Sequence, residues 1–250
     1  KVRNDQLGAV FAHDIRATGV HYDVAAATVG PSTGCCLVVV TPDAQRTMNT
    51  YLGASVHLDP GDIDAAAIRS AKVLYLEGYL FDPPEAQEAF RLAAGHANDS
   101  GRAVALTLSD GFCVDRHRDA FLAMVEHHVD ILFANEDEIL SLYQTDSFDE
   151  AAQRVRRHGA IAALTRSEKG SVIVTEDDLI EVAAHPIDEL VDTTGAGDLY
   201  AAGFLFGYSR GMDLAICGEL GSLAAAEVIS HVGARPQADL AELAAGLLGG

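Results

Sequence analysis

Residues 131–164 read ILFANEDEILSLYQTDSFDEAAQRVRRHGAIAAL and contain one complete strand–helix–strand pattern. Apolar runs of strand length stand at 131–134 and 161–164, and the helix-like segments 136–143 and 149–158 lie between them. Short apolar runs that alternate with helices are typical of parallel strands buried on both faces, because a parallel connection has to cross over the sheet. The stretch therefore predicts a βαβ unit.

The same alternation extends toward the N-terminus, where apolar runs at 73–76 and 103–108 are followed by helix-like segments at 84–97 and 115–127. We therefore expect an α/β fold around a mostly parallel sheet. Ligands of such open sheets bind beyond the carboxyl ends of the strands. The positions to search are Glu77-Gly78, Ser109-Asp110, 135–138, 165–170 and the turn before Gly197.

Further predicted elements precede and follow this alternation of strands and helices. Residues 4–18 carry apolar side chains at helical spacing, Asn4 can cap them and Gly19 follows, so we expect a helix there. The β-like runs 35–40 and 46–51 flank a Thr-Pro-Asp-Ala turn and predict an antiparallel hairpin. We expect a second hairpin at 171–175 and 179–184, and helices at 197–208, 213–230 and 237–248.

The chain has 250 residues, of which 49% are hydrophobic, and 37 acidic against 17 basic side chains give a formal charge of −20. This composition excludes a disordered chain and makes nucleic acid and anionic membrane surfaces unsuitable partners. No apolar run reaches about 18 residues, so we expect no membrane span. The four cysteines fit neither a disulfide framework nor a CxxC pair, so we expect free thiols and a cytoplasmic location.

The chemistry is concentrated at 192–198, Asp-Thr-Thr-Gly-Ala-Gly-Asp, which opens an apolar helix-like segment. Glycines at 195 and 197 let the backbone approach a ligand, and the free N–H groups of a helix N-terminus bind anions. Asp198, in the first turn, could accept a proton from an attacking hydroxyl group. Such a turn suits phosphoryl transfer, which needs positioning, charge neutralisation and a proton acceptor. The alternative is an ordinary helix start in which Asp198 only complements the dipole.

Competing motifs are incomplete. A dinucleotide-binding GxGxxG would need glycine at Tyr200, and the chain has no Gly-Lys dipeptide for a Walker A loop. His117-Arg118-Asp119 imitates the HRD of protein kinases, but Met124 stands where that motif needs asparagine, so we expect an exposed helix face. For Glu126-His127-His128 we expect a surface loop rather than a zinc site.

Residues 192–198, followed by an apolar segment that contains Gly203, resemble the C-terminal motif of the ribokinase-like (PfkB) family of sugar and nucleoside kinases. Asn135-Glu136-Asp137-Glu138 resembles the N-x-x-E motif of that family. Further similarities, in the same order along the chain, are Thr33-Gly34, Arg46-Thr47 and Gly233-Ala234. The resemblance implies one ribokinase-like domain over 1–250, with a three-layer α/β/α architecture and a β-hairpin lid near 31–54.

The resemblance also implies roles for the residues that match. Asp198 would be the catalytic base, and Gly195, Ala196 and Gly197 would form the anion hole for the γ-phosphoryl group of ATP. Asn135 and Glu138 would organise Mg²⁺ and phosphate, largely through water. The alternative for this last pair is an asparagine N-cap followed by an acidic first turn.

The remaining matches concern the nucleotide and a second cation. Thr165 and Gly170 would line the nucleotide, although Ser167 replaces the middle glycine of the family's T-x-G-x-x-G. Asp192, Thr194 and Gly233 would lie near a site for a monovalent cation such as K⁺, which backbone carbonyl groups would mainly hold.

The lid at 31–54 would cover the substrate, and in relatives such a lid can also pair two subunits into a homodimer. Cys36 and Tyr51, with Cys35 and Asn49, are the candidate substrate contacts, and plain strand packing is the alternative for each. Family members carry a strand and a substrate-binding aspartate upstream of a helix like that at 4–18. We therefore expect the natural protein to have residues before Lys1.

Local strings favour an adenosine kinase-like member over ribokinase itself: 49–54 (NTYLGA), 75–79 (YLEGY) and 108–112 (LSDGF). We therefore expect a kinase that phosphorylates a hydroxymethyl group of a small nucleoside, adenosine in particular. Sugars such as ribose, fructose or 2-keto-3-deoxygluconate are the alternative acceptors. A further alternative is a nucleotide-binding sensor without turnover, and the presence of Asp198 argues against it.

Overall fold

The structure, a computed structural model, describes residues 1–248. Its strands are β1 (Cys35–Val40), β2 (Arg46–Tyr51), β3 (Val73–Glu77), β4 (Ala103–Thr107), β5 (Ile131–Asn135), β6 (Ile161–Thr165), β7 (Ser171–Val174) and β8 (Leu179–Val182). Its helices are α1 (Gln6–Ala17), α2 (Ala65–Ser70), α3 (Pro84–Asn98), α4 (Gly111–His127), α5 (Glu136–Tyr143), α6 (Phe148–Arg156), α7 (Ala196–Tyr208), α8 (Leu214–Ile229), α9 (Leu240–Leu243) and α10 (Ala245–Leu248).

Strands β3 to β8 form one mixed sheet in sequential order. The strands from β3 to β6 pair in parallel, and β7 and β8 continue the sheet in antiparallel pairings. The predicted mostly parallel sheet is therefore confirmed. The second predicted hairpin is also present, and it joins the main sheet because a short turn after β6 lets Ser171 pair with Thr165.

Helix ends follow their capping residues rather than the expected boundaries. The first helix begins at Gln6 because the Asp5 carboxylate, and not Asn4, accepts the Gly8 N–H at 2.8 Å. Helix α4 begins at Gly111, ahead of the expected start at 115, because Asp110 caps it. The single helix expected at 237–248 is wrong, since two short helices, α9 and α10, occupy the segment and are separated at Ala244.

The segment around His117 differs from the exposed helix face expected for it. Helix α4 is kinked at this residue (φ −125°, ψ 25°), and its imidazole Nε2 lies 2.8 Å from Asp82 Oδ1 in the loop after β3. The expected surface loop at 126–128 is also wrong in part, since Glu126 and His127 belong to the last turn of α4. Within residues 1–248, no three metal-binding side chains come close enough to hold an ion.

Apolar layers cover both faces of the main sheet. On one face, α3 to α6 pack over a buried layer that includes Leu106, Leu132 and Leu164. On the other face, α7 and α8 pack over a layer that includes Ile131 and Phe133. Neighbouring residues of one strand supply both layers because side chains alternate between the faces of a sheet. The three-layer α/β/α architecture is confirmed.

The hairpin of β1 and β2 forms a separate antiparallel sheet, in which Cys35 faces Tyr51 and Val40 faces Arg46. Its side chains are largely exposed. The cysteines are free thiols, with Cys35 and Cys36 exposed on this hairpin and Cys113 and Cys217 buried elsewhere. Within residues 1–248, none of the helices combines the length and apolarity that crossing a bilayer requires.

Candidate active site

The carboxyl ends of β3 to β6 and the start of α7 border one cleft of about 670 Å³. Its lining includes Glu77, Ser109, Asn135, Glu138, Thr165 and Asp198. These strand ends meet at one edge because parallel strands run in the same direction across a sheet. The turn at 195–197 lines the same cleft, so the structure brings the N-x-x-E residues and the glycine-rich turn together.

Helix α7 starts with an open N-terminus. Its N-cap, Gly195, is in the left-handed region (φ +83°) and has no side chain to accept the first N–H groups. The amide groups of Gly197 and Asp198 find no hydrogen-bond acceptor within residues 1–248. Outside its own helix, no atom of those residues lies within 4 Å of a Cβ built on Gly197. The turn thus presents unpaired donors to open space, an arrangement that binds anions.

Asp198 is exposed in the cleft from the first turn of α7. A hydroxyl group that entered the cleft at this point would meet a carboxylate and the unpaired amides together. The catalytic candidates Gly195, Ala196, Gly197 and Asp198 therefore all reach the cleft from one helix terminus.

Glu77 and Ser109 are two cleft residues to which the sequence assigned no role. The Ser109 hydroxyl donates a hydrogen bond to a carboxylate oxygen of Glu77 across the ends of β3 and β4. Burial, together with the negative charge of Asp198, raises the pKa of Glu77 to about 6. The strand-end rule had marked both positions for search, and the signal that could have assigned them is a pair of polar residues at the ends of adjacent apolar strands.

The N-x-x-E residues form a closed capping box at the start of α5. Asn135 Oδ1 accepts the Glu138 N–H at 2.8 Å, and the Glu138 carboxylate accepts from Asn135 N at 2.9 Å and from Asn135 Nδ2 at 2.8 Å. The helix-cap alternative is therefore present in the structure. Glu138 is nevertheless only 6% exposed. Burial, with the charges of Asp110 and Glu77, raises its pKa to about 7.

This acidic environment fits a divalent cation. The charges of Asp110, Glu77 and Asp137 all disfavour ionisation of Glu138, so a cation would relieve a repulsion between the protein's own groups. Carboxylate and amide oxygens are ligands that Mg²⁺ accepts, and this ion commonly keeps several waters. Both carboxylate oxygens of Glu138 already accept a hydrogen bond from Asn135, which favours contact through water.

The loop after β6 forms another wall of the cleft, to which Thr165 and Gly170 both contribute. Glycine is required at 170 because φ is +84° and a Cβ atom would collide with the Val182 carbonyl group. Ser167 also takes a left-handed conformation (φ +52°). The loop therefore keeps the backbone shape that a glycine at 167 would favour.

Asp192 does not line the cleft and instead holds the turn in place. Its buried carboxylate accepts hydrogen bonds from Thr194 N (2.9 Å), Thr194 Oγ1 (2.6 Å) and Gly233 N (3.0 Å). Burial opposes ionisation, but these bonds prevail and hold the pKa of Asp192 below its usual value. With its carboxylate so engaged, Asp192 ties the turn to the loop after α8, and a monovalent cation here would depend on backbone carbonyl groups.

The hairpin contributes a cleft residue that the sequence did not select for the site. Arg46 of β2 lines the cleft, and it is the only arginine or lysine among the lining residues within 1–248. The substrate candidates Cys36 and Tyr51 do not line the cleft. Cys36 shares the face of Arg46, with its Sγ 3.0 Å from Thr50 Oγ1, whereas Tyr51 lies on the other face.

Comparisons with known proteins agree with this geometry. The model of the pfkB family of carbohydrate kinases matches residues 1–240. The chain is 52% identical to a probable sugar kinase protein from Rhizobium etli, with a TM-score of 0.95, covering 98% of this chain and 76% of that one. It is 49% identical to the adenosine kinase from Sinorhizobium meliloti, with a TM-score of 0.95, covering 98% of this chain and 75% of that one. A nucleoside kinase of Methanothermobacter thermautotrophicus is 29% identical over 93% of this chain and 72% of the relative.

Proposed function

This chain belongs to the pfkB family of carbohydrate kinases and is a phosphotransferase that acts on a hydroxyl group, and we propose that it transfers the γ-phosphoryl group of ATP to a hydroxymethyl group of a nucleoside such as adenosine. The start of α7 carries this proposal, because unpaired amide groups and the Asp198 carboxylate face the same cleft there. The amides provide an anion site and the carboxylate a proton acceptor, which are the needs of phosphoryl transfer to an alcohol.

In this proposal, Asp198 takes the proton from the acceptor hydroxyl group while the hydroxyl oxygen attacks the γ-phosphorus of ATP. The bond between that phosphorus and the β,γ-bridging oxygen breaks, and ADP leaves. The N–H groups of the turn bind oxygens of the transferring group and stabilise its charge. Gly197 keeps a side chain out of the space that this group needs, and Gly195 gives the turn its left-handed backbone (φ +83°). Asp192 positions the turn through its hydrogen bonds to Thr194 and Gly233.

In this proposal, the positive charge that balances the phosphate groups of ATP comes from a cation and from the hairpin of β1 and β2. Asn135 and Glu138 would hold Mg²⁺ through water, and the ion would neutralise part of the phosphate charge. Arg46, in the lid at 31–54, would place a guanidinium group in the cleft that also balances the phosphate charge. Thr165 and Gly170 would line the nucleotide. Backbone carbonyl groups near Asp192, Thr194 and Gly233 would bind K⁺.

Two acceptor classes remain to be compared. The similarity to an adenosine kinase and to a nucleoside kinase supports a nucleoside. The similarity to a probable sugar kinase makes a free sugar the second candidate. The same transfer to a hydroxymethyl group applies to both classes, and Glu77, which lines the cleft beside Ser109, would offer a carboxylate to hydroxyl groups of either acceptor.

The test is ADP release from MgATP with a panel of nucleosides and sugars, measured for the wild type and for Asp198→Asn. We expect the variant to lose turnover by about 10²- to 10⁴-fold, because it lacks the proton acceptor. Its Kd for MgATP should stay close to that of the wild type, because the amides of the turn remain. Asp119→Asn, an exposed carboxylate on α4 outside the cleft, is the matched control and should leave the rate unchanged.

Near-normal kcat in Asp198→Asn would refute the role of the base. Turnover with sugars alone would move the acceptor class from nucleosides to carbohydrates. Tight ATP binding without ADP release for any acceptor would favour the nucleotide sensor.

A further inference from the structure

Two segments that line different walls of the cleft are joined by an ion pair outside it. Arg166 follows Thr165 in the loop after β6, and Glu136 follows Asn135 at the start of α5. Arg166 Nη2 lies 3.0 Å from Glu136 Oε1, and Lys169 Nζ lies 3.5 Å from Glu136 Oε2. Neither Arg166 nor Glu136 lines the cleft itself, so any effect on ligands has to pass through their neighbours.

The Arg166 side chain is held in one direction by more than this pair. Its Cζ lies 4.0 Å from the ring centroid of Phe148, the first residue of α6, as in a cation–π contact. The backbone N–H of Arg166 also donates a hydrogen bond to the Gly170 carbonyl oxygen at 2.8 Å, so the two ends of the loop are joined. The guanidinium group thus connects three elements: the loop after β6, the start of α5 and the start of α6.

The pair differs from an ordinary surface ion pair. The side chains of Arg166 and Glu136 are 26% and 27% exposed, and the residues are far apart in sequence. The pair of Arg154 with Glu150 is 40% and 48% exposed and links successive turns of one helix, where such pairs contribute little. The Arg166–Glu136 pair is thus less exposed than the helix pair, and it links two separate elements of the fold.

We propose that Arg166 and Glu136 are positioning residues that set the loop after β6 against the start of α5, so that binding of MgATP, and not of the acceptor, depends on them. The inference rests on the proposed function, in which Thr165 and Gly170 line the nucleotide and Asn135 and Glu138 organise its metal ion. Because each residue of the pair is adjacent in sequence to one of these groups, losing the pair changes the spacing between the nucleotide wall and the metal motif.

The experiment measures the Kd for MgATP by titration calorimetry and the KM for each substrate by ADP release, in Glu136→Gln, Arg166→Gln and the double variant. We expect each single variant to weaken MgATP binding about three- to tenfold, with the KM of the acceptor changed less than about twofold. The double variant should be no weaker than either single variant, because the pair acts as a unit.

Glu150→Gln is the matched control, since Glu150 is also an acidic residue in the first turn of a helix and also pairs with an arginine. It should leave MgATP binding unchanged. Unchanged binding in Glu136→Gln, equal weakening in Glu150→Gln, or singles whose effects add in the double variant would each overturn the proposal. Thermal unfolding of every variant separates lost positioning from a general loss of stability.

The direct binding measurement also separates this inference from the proposed function. If the wild type binds MgATP but releases no ADP with any acceptor, the proposed function fails and the variants still test the pair. If turnover is normal and the variants bind MgATP like the wild type, only the positioning role fails. A wild type that binds no MgATP would overturn both.

Discussion

Gly197 shows at the scale of one residue how space is reserved for a ligand. Glycine is required at 195 and 170 because both residues have positive φ and face close neighbours. Gly197 has neither constraint, since its φ is ordinary and a Cβ there would meet nothing within 4 Å outside its own helix in residues 1–248. Glycine in a helix is less stable than alanine, so the residue at 197 weakens α7 without any benefit to packing.

Replacing Gly197 by alanine should therefore separate stability from activity. We expect the free energy of unfolding to rise by about 0.5–1 kcal/mol, because alanine loses less backbone entropy on folding. Turnover should fall at least about tenfold, because the methyl group enters the space proposed for the phosphoryl group. Denaturant unfolding and ADP release measure the two effects.

Gly95→Ala provides the matched control, because Gly95 lies in α3, away from the cleft, and its added Cβ would also meet open space. It should give a similar gain in stability with unchanged turnover. Equal activity in the two variants would show that the space at Gly197 is not used by a substrate.

At the scale of elements, the contact between α7 and α8 places the anion turn. Both helices are apolar over most of their length, and small residues let their backbones approach closely. A Cβ atom on Gly203 would collide with the Leu220 carbonyl group, and one on Gly221 would lie 2.8 Å from Tyr200 O. The direction of α7, and with it the position of Asp198, depends on this close approach.

Gly203→Ala should force the two helices apart. We expect a loss of about 1–3 kcal/mol in the free energy of unfolding, since a packed interface has to shift to admit the methyl group. Turnover should fall as well, because the displaced helix carries Asp198. Denaturant unfolding of Gly203→Ala, with Gly95→Ala as the control variant, measures the loss of stability. A Gly203→Ala variant as stable as the wild type would contradict this close packing of α7 and α8.

At the scale of the whole molecule, the cleft concentrates part of a large negative charge. The formal charge of the chain is −20, and Glu77, Glu138 and Asp198 face the same cleft, with Arg46 as the lining cation. Burial and mutual repulsion raise the pKa of Glu138 to about 7 and that of Glu77 to about 6. The protein without ligands therefore holds unfavourable charge where the proposed cation would bind.

This electrostatic arrangement predicts a dependence of stability on pH. The pKa of Glu138 is about 7 in the folded chain against an ordinary 4.5, so the folded state retains a proton that the unfolded state releases between these values. The stabilisation from this proton is complete below the lower value and is lost as pH rises through the higher one. The ligand-free wild type should lose more stability between about pH 5 and pH 8 than Glu138→Gln.

Thermal unfolding over this pH range, without nucleotide or divalent cation, measures the difference. Glu77 is present in both proteins, so the difference between the two profiles reports the ionisation of Glu138 together with its repulsion with Glu77. Parallel pH profiles for the wild type and Glu138→Gln would show that Glu138 has an ordinary pKa.

Local patterns were sufficient for most of the secondary structure. The four parallel strands were expected because apolar runs of strand length alternate with helices, and the turn at 41–44 marked the hairpin of β1 and β2. Helix ends were less certain where several residues could act as caps, as with Asn4 and Asp5. The break at Ala244 was missed because alanine is a good helix former and nothing local marks an interruption there.

The sequence predicted the candidate site only in part, because local patterns do not show how distant segments are placed. The strand-end rule and the two motifs pointed to Glu77, 135–138 and 195–198, and of these Glu77, Asn135, Glu138 and 195–198 do meet in the cleft. Arg46 was not chosen because its entry depends on how the hairpin is placed over the sheet. Tyr51 was chosen without knowledge of which hairpin face is turned toward the cleft, and Cys36 lies on the face of Arg46 but at the opposite end of the hairpin.

The sequence by itself determined the elements and their order, because hydrophobic period, turn residues and capping act over a few neighbouring positions. Only the tertiary structure decided which carboxylates repel one another, which face of the hairpin brings Arg46 to the cleft, and that Arg166 pairs with Glu136. Those properties depend on burial and on distances between segments far apart in the chain, and no local pattern encodes such distances.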